Sequence, residues 1–262
     1  MTDRAFNFEG GDNDAVRYRL DRSMVAWITL NRPHRLNAIN ATLIDGLVGS
    51  LVRARADAAA VVVLRGEGRA FCSGHDLQED ELSGTQAVSI AQGLQDVTRR
   101  MQEFAGPVVS AVHGYALGGG FEFALASDLV VAARSARFGF PEVAVGLTVT
   151  GGVTKLLPQL AGPMRAKRLL MLGEMIGAEE ALAMGLVSFV CEPEELDQRI
   201  EQLAQELAGK PRASLSLTKQ ALDAGPDNLL EKQLELEVEH LLSAAKSKDA
   251  SLARDRFRGR SI

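Results

Sequence analysis

The spacing of apolar residues changes period several times along the chain, and each change predicts an element. Between Tyr18 and Leu30 apolar and polar positions alternate on either side of Asp21-Arg22-Ser23, which predicts a hairpin whose second arm is Met24–Leu30. Asn31-Arg32-Pro33 ends that arm. After Asn40, a residue suited to capping, Leu43, Leu47, Val48, Leu51 and Val52 recur at helical spacing. Val61–Leu64 is short and wholly apolar between turn residues, the pattern of a strand covered on both faces. Residues 78–106 turn polar, predicting a mobile flap and then a helix through Val97 and Met101. Val108–Val112 predicts a strand feeding Gly118-Gly119-Gly120, followed by an alanine-rich helix over Phe121–Ser127. Leu129–Ala133 predicts another strand, Met164–Leu172 a helix, the stretch from Gly177 to Gly185 a shorter one, and Val187–Val190 a last strand.

Beyond Pro193 only helical spacing remains. Leu196, Ile200, Leu203 and Leu207 share one face, Gly209-Lys210-Pro211 and Gly225-Pro226 break the run, and Asn228 to about Ser247 is leucine-rich and acid-laced. The pattern divides into a loose leader (residues 1–15), an α/β core (16–192) and a helical region (193–262). The leucines of that last region exceed what a small appendage buries, which predicts contacts between copies of the chain; packing onto its own core is the competing reading.

Composition narrows the class. Of 262 residues 46% are hydrophobic and 24% charged, enough for a large core, while 5% aromatics and abundant small aliphatics suit helix-covered parallel sheet. A net charge of −5 argues against a nucleic-acid partner. Cys72 and Cys191 lack metal-type spacing and read as free thiols in a reducing compartment. No apolar h-region opens the chain, and no apolar run approaches the ~18 residues of a membrane span, so a soluble, cytoplasmic protein is expected.

The candidate chemistry lies in the glycine stretch. A strand entering glycines and then a helix leaves N–H groups unpaired at a positive dipole end, which suits a phosphate or a developing oxyanion. No Lys-Ser/Thr follows, so no Walker loop is present, and a tight strand-to-helix joint is the simpler alternative. Glu122 sits two residues past the glycines among Phe121, Phe123, Ala124 and Leu125, and Glu142 is similarly isolated in Phe-Gly-Phe-Pro-Glu-Val. Burial raises a carboxyl pKa toward neutrality, and two carboxyls in unlike surroundings divide acid from base work. The turn Cys72–Asp76 supplies a second set of backbone donors. Cys72 itself reads as a buried thiol and His113 as a satisfied core histidine.

Several ordered motifs carry a family resemblance. They are Asn31-Arg32-Pro33 with Asn37-Ala38, Ala70-Phe71-Cys72-Ser73-Gly74-His75-Asp76-Leu77, Gly114 to Glu122, Asp128, Phe138 to Glu142, and Ala178–Val190. Together they resemble the enoyl-CoA hydratase/isomerase (crotonase) superfamily, from about Met24 to Val190 and more loosely through the tail. The resemblance implies a crotonase-like spiral of ββα units, a C-terminal helical trimerisation region, and a homotrimer or a hexamer of two trimers. It implies an acyl-CoA thioester as substrate, with no metal or redox cofactor. By the same resemblance Glu122 activates water and Glu142 supplies a proton, while the N–H groups of His75 and Gly119 form an oxyanion hole. Arg35, Leu36, Ala70, Cys72, Gly74, Asp76, Leu77, Gly118 and Thr150 would line the substrate. The chain departs from the family pattern in carrying the bulky His75, arginines in Arg254–Arg258, and Thr150 where hydratases have a glycine that helps hold water. That threonine hydroxyl is expected to bond water or an acyl substituent. The implied activity is hydration of a 2-enoyl-CoA. A double-bond isomerase, which needs only the Glu142 carboxyl, and a non-catalytic acyl-CoA-binding oligomer are the alternatives.

Overall fold

The structure, a computed structural model, describes residues 15–77 and 84–258. The expected leader lies outside the described residues except for Ala15, and so do residues 78–83 of the expected flap.

A six-stranded sheet forms the frame. It is built from β1 (Val16–Leu20), β2 (Val25–Leu30), β3 (Val61–Gly66) and β4 (Val108–Val112). A second, three-stranded sheet begins with β5 (Tyr115–Leu117). β6 (Leu129–Ala133) returns to the large sheet, β7 (Arg137–Gly139) and β8 (Met175–Gly177) complete the small one, and β9 (Phe189–Cys191) closes the large one. The orders are β1-β2-β3-β4-β6-β9 and β5-β7-β8. β1 and β2 form the predicted antiparallel hairpin, and the large sheet is parallel from β2 onward. The chain thus winds from large sheet to small sheet to helix, the ββα spiral implied by the family motifs.

The covering helices follow from apolar stripes. In α1 (Ala41–Ala56) the Asn40 side chain accepts from the Leu43 N–H at 3.0 Å, capping the helix, and Leu43, Leu47 and Leu51 are buried. From Gly84 the expected flap is instead a long helix, α2 (Gly84–Glu103). Its buried Ile90, Leu94, Val97 and Met101 recur every three or four residues, and that stripe holds it on the core. α3 (Gly119–Leu125) starts inside the glycine cluster. α4 (Val153–Ala161), unforeseen in the sequence, precedes α5 (Pro163–Leu172) and α6 (Ala178–Ala183).

Val62 and Leu64 join the core formed with these helices, whereas Val61 and Val63 point to the opposite face. There α7 (Leu196–Ala208) covers the sheet with Leu196, Ile200, Leu203 and Ala204, which explains the wholly apolar strand. α8 (Arg212–Ala224), α9 (Leu230–Ala245) and α10 (Lys248–Arg258) follow. α8 is tied down by Lys219, whose ammonium donates to the Met101 carbonyl and to Asp128 Oδ2, each at 2.9 Å. Asp128 Oδ2 also accepts from the Val108 N–H at 2.7 Å, so this motif aspartate joins helix to sheet. The leucines of α9 stay exposed, Leu230 at 70% and Leu241 at 69%. Among the described residues no helix is long and apolar enough to cross a membrane.

Two expectations shift in detail. Val108–Val112 does not run straight into the glycines: the chain turns at His113-Gly114 and first forms β5 in the other sheet. Three residues are too few to show a period, so the sequence hides such strands. The last strand lies at Phe189–Cys191, two residues later than Val187 suggested, because Val187 faces the core cluster instead.

Candidate active site

Two segments meet beside the start of α3. The first is the Cys72–Leu77 turn, joined to β5 by Cys72 N–H to Tyr115 O (2.9 Å) and Leu117 N–H to Cys72 O (3.0 Å). Its other edge pairs with Ile39, through Ile39 N–H to Gly74 O and Asp76 N–H to Ile39 O, both 2.8 Å. Since peptide groups alternate along an extended strand, the N–H of His75 points away from Ile39.

A buried polar knot braces this turn. Arg32 is 7% exposed and donates to the Ala38 carbonyl at 2.6 Å and to Asp76 Oδ2 at 3.1 Å. Asn37 is fully buried; its Oδ1 accepts from the Arg32 N–H, and its amide donates to the carbonyls of Glu67 and Ala70. The Asp76 carboxylate, in a residue expected to line the substrate, pairs with Arg32, as a buried charge needs a partner.

The second segment is the head of α3. Gly118 caps the helix at φ +51°, ψ −124°, and a β-carbon there would lie 2.6 Å from Glu142 Oε1, so only glycine fits. Gly119 is the first helical residue, and its N–H has no acceptor within the helix. Glu122 lies in the first turn at 1% exposure. Glu142 is carried by the short 3-10 turn Pro141–Val145. Phe140 before that turn stacks on Phe121 of α3 with ring centroids 4.8 Å apart, which holds the two glutamates on neighbouring supports.

The environments of the two acids differ. Glu122 Oε1 accepts from the Thr150 N–H at 2.8 Å and Oε2 from the Thr150 hydroxyl at 3.2 Å. The hydroxyl thus donates to Glu122, a partner that the sequence did not suggest. Burial pushes the Glu122 pKa up while both Thr150 bonds pull it back. Glu142 Oε2 is buried and has no hydrogen-bond partner among the described residues. Burial raises the Glu142 pKa to about 7, with the nearby charge of Glu122 adding to the rise. One carboxyl thus has two donors that favour its charged form and the other is an acid raised to near neutrality, unlike surroundings of the kind that divide taking a proton at one atom from delivering one at another.

The remaining expected residues are scattered around this centre. Arg35 ends the 3-10 turn Pro33–Arg35, and Leu36 follows it with a left-handed backbone, its carbonyl accepting from the Ser73 N–H at 3.1 Å. Ala70, Cys72 and Gly74 are buried, and Leu77 is exposed. The Cys72 thiol is pushed up to about 12 by burial first, with Glu122 adding to it, so it stays protonated and is no nucleophile. His113 bonds the Gly68 carbonyl at 2.9 Å, and burial lowers its pKa; it is satisfied as expected, but half-buried rather than in the core. No group of three His, Cys, Asp or Glu side chains among the described residues is placed to hold a metal ion.

Sequence reasoning assigned no role to Arg32, Asn37 or Thr98. Thr98 of α2 is buried and donates its hydroxyl to the Gly151 carbonyl at 3.0 Å, anchoring the loop that presents Thr150. The available signal was its place on the stripe of Leu94, Val97 and Met101, where a polar residue is out of pattern.

Known proteins share this architecture. A sequence model of the family described as enoyl-CoA hydratase/isomerase matches residues 21–260. The 1,2-epoxyphenylacetyl-CoA isomerase of Escherichia coli is 37% identical over 231 residues, covering 86% of this chain and 88% of the relative. The crotonyl-CoA hydratase of Syntrophomonas wolfei is 34% identical over 218 residues, covering 82% and 84%. A crystal structure of enoyl-CoA hydratase from Bacillus anthracis superposes with a TM-score of 0.88 at 30% identity, covering 93% of this chain and 96% of that one. With sequence model, relatives and solved fold in agreement over nearly the whole length, the chain belongs to the enoyl-CoA hydratase/isomerase family.

Proposed function

We propose that the chain is an enoyl-CoA hydratase, adding water across the double bond of a 2-enoyl-CoA thioester. The observation that carries this reading is the unequal pair of acids, buried Glu122 held by two donors and half-buried Glu142 with one buried, unpartnered oxygen. In the reaction Glu122 takes a proton as water oxygen bonds to Cβ. The displaced π electrons place negative charge on the thioester oxygen, where the N–H groups of His75 and Gly119 receive it. Glu142 then gives its proton to Cα, and the proton gained by Glu122 passes to Glu142 before the next turnover. The segments Arg35–Leu36 and Ala70–Leu77 with Gly118 take the acyl-CoA, and no metal or redox cofactor is used.

A second reading, movement of the double bond through the same enolate, is favoured by one observation: Thr150 already engages both oxygens of Glu122. Bond migration needs one mobile proton, and Glu142 alone supplies it.

A panel of short, long, branched and aryl 2- and 3-enoyl-CoA thioesters, with products identified by mass and double-bond position, separates the readings. Hydration predicts products heavier by one water, whereas a product of unchanged mass with a moved double bond replaces it with the second reading. Binding without turnover of any thioester would sink both. The pH profile of kcat/KM is expected to be a bell. Its basic limb falls near pH 7, where Glu142 loses the proton it must deliver, and its acid limb lies above the ordinary carboxylate range, where Glu122 becomes protonated and cannot act as base.

We also read α8–α10 as the contact between copies, in a trimer or a pair of trimers, since exposed Leu229, Leu230, Leu241 and Leu242 form an apolar surface there. Light scattering is expected to give the mass of three or six chains, and a monomer mass would remove this reading.

A further inference from the structure

The backbone N–H of Thr150 already reaches Glu122, so its hydroxyl is a second, additional donor to the same carboxyl. Building on the hydratase reading, we propose that the Thr150 hydroxyl is a positioning group that holds Glu122 as the ionised member of the pair. Base and acid are then assigned before substrate arrives.

The geometry is specific. The two donors act on different oxygens, at 2.8 and 3.2 Å, which fixes the plane of the carboxylate as well as its place. Gly151 closes against the same group so tightly that a β-carbon on it would lie 2.5 Å from Glu122 Oε2. The loop cannot drift from this position, because buried Thr98 of α2 holds the Gly151 carbonyl at 3.0 Å. Glu142 is held differently: Oε1 lies where a β-carbon on Gly118 would come within 2.6 Å, its own backbone N–H is a donor to it, and Oε2 is buried with no partner among the described residues.

A donor stabilises a carboxyl chiefly in its charged form, so two donors at one acid and an unpartnered oxygen at the other place the shared negative charge on Glu122. Among the described residues, the titratable groups that act on Glu122 are Glu142, from the turn after β7, and Cys72, from the segment bridged to β5. Neither offers it a positive charge. The hydroxyl is therefore what tips the balance beyond the backbone donor.

The test uses the full-length protein and two variants. Thr150→Val keeps the N–H and the side-chain shape but removes the hydroxyl, and Thr150→Ser restores the hydroxyl. Removing one hydrogen bond from a charged group is expected to raise the acid limb of the kcat/KM profile by about one pH unit in Thr150→Val, with Thr150→Ser returning it toward the parent. Loss of rate in the valine variant is then about tenfold larger on the acid side of the profile than at its top. A second readout needs no turnover: carbon-13 NMR titration of protein labelled at the glutamate carboxyls, with Glu122→Gln and Glu142→Gln assigning the two signals. An upward-shifted Glu122 titration in Thr150→Val upholds the proposal, even if no thioester is hydrated and the hydratase reading falls. An unmoved titration, or an equal rate loss at every pH, overturns the proposal even if hydration is robust.

Discussion

Glu122→Gln is expected to lower hydration of a 2-enoyl-CoA by about 10²–10⁴-fold with no loss of fold. Glutamine has the shape of glutamate, and its carbonyl still accepts from the Thr150 N–H. Its amide NH₂ meets the Thr150 hydroxyl, which can turn and accept, so the buried pocket stays satisfied. What disappears is the group able to take a proton from water as the Cβ–O bond forms. Steady-state kinetics beside thermal unfolding check the result. Full hydratase activity in the variant would remove Glu122 from the role given to it. Preserved double-bond migration with hydration lost would assign the enolate chemistry to Glu142 alone and favour the isomerase reading.

Arg32→Met carries the largest expected cost in stability, about 3–5 kcal/mol, because it leaves the Asp76 carboxylate buried at 4% exposure without its counter-charge. For a chain of this size that corresponds to a fall in Tm of roughly 6–20 °C. Replacing the pair together, Arg32→Met with Asp76→Leu, is expected to recover most of the loss, since the buried carboxylate that Arg32 balances is then removed as well. Activity at temperatures where the single variant is folded should also drop, because Asp76 is fixed on one side of His75 and Gly74 on the other. Thermal unfolding of the two variants decides the matter: equal melting points would mean that the ion pair contributes nothing to bracing the turn.

Much of the frame was legible because one physical cause acted locally. Asn40 caps α1 where its side chain predicted, and the hairpin turns at Asp21-Arg22-Ser23. The wholly apolar Val61–Leu64 became a strand covered on both faces. β5, β7 and β8 were hidden because each has three residues and is stabilised by partners distant in sequence, such as Ala116 against Phe138. The helix expected through Val97 and Met101 is α2, but its start at Gly84 was hidden because its polar face outweighs in composition the narrow stripe that docks it.

The same division runs through the site. The sequence by itself singled out the residues proposed to carry chemistry: acids alone among apolar neighbours at 122 and 142, glycines where a helix starts, and a motif order specific enough to place the family. Only the tertiary structure decided what those residues do to one another. Glu122 and Glu142 are brought together by the stacking of Phe121 on Phe140. Asp76 gained Arg32 as an ion-pair partner from a distant segment. Thr150 turned toward Glu122 because Thr98, from another helix, holds the next carbonyl in place. Residue type is written locally, but a pKa and a hydrogen-bond partner depend on burial and on groups from distant segments, which exist only once the chain has packed.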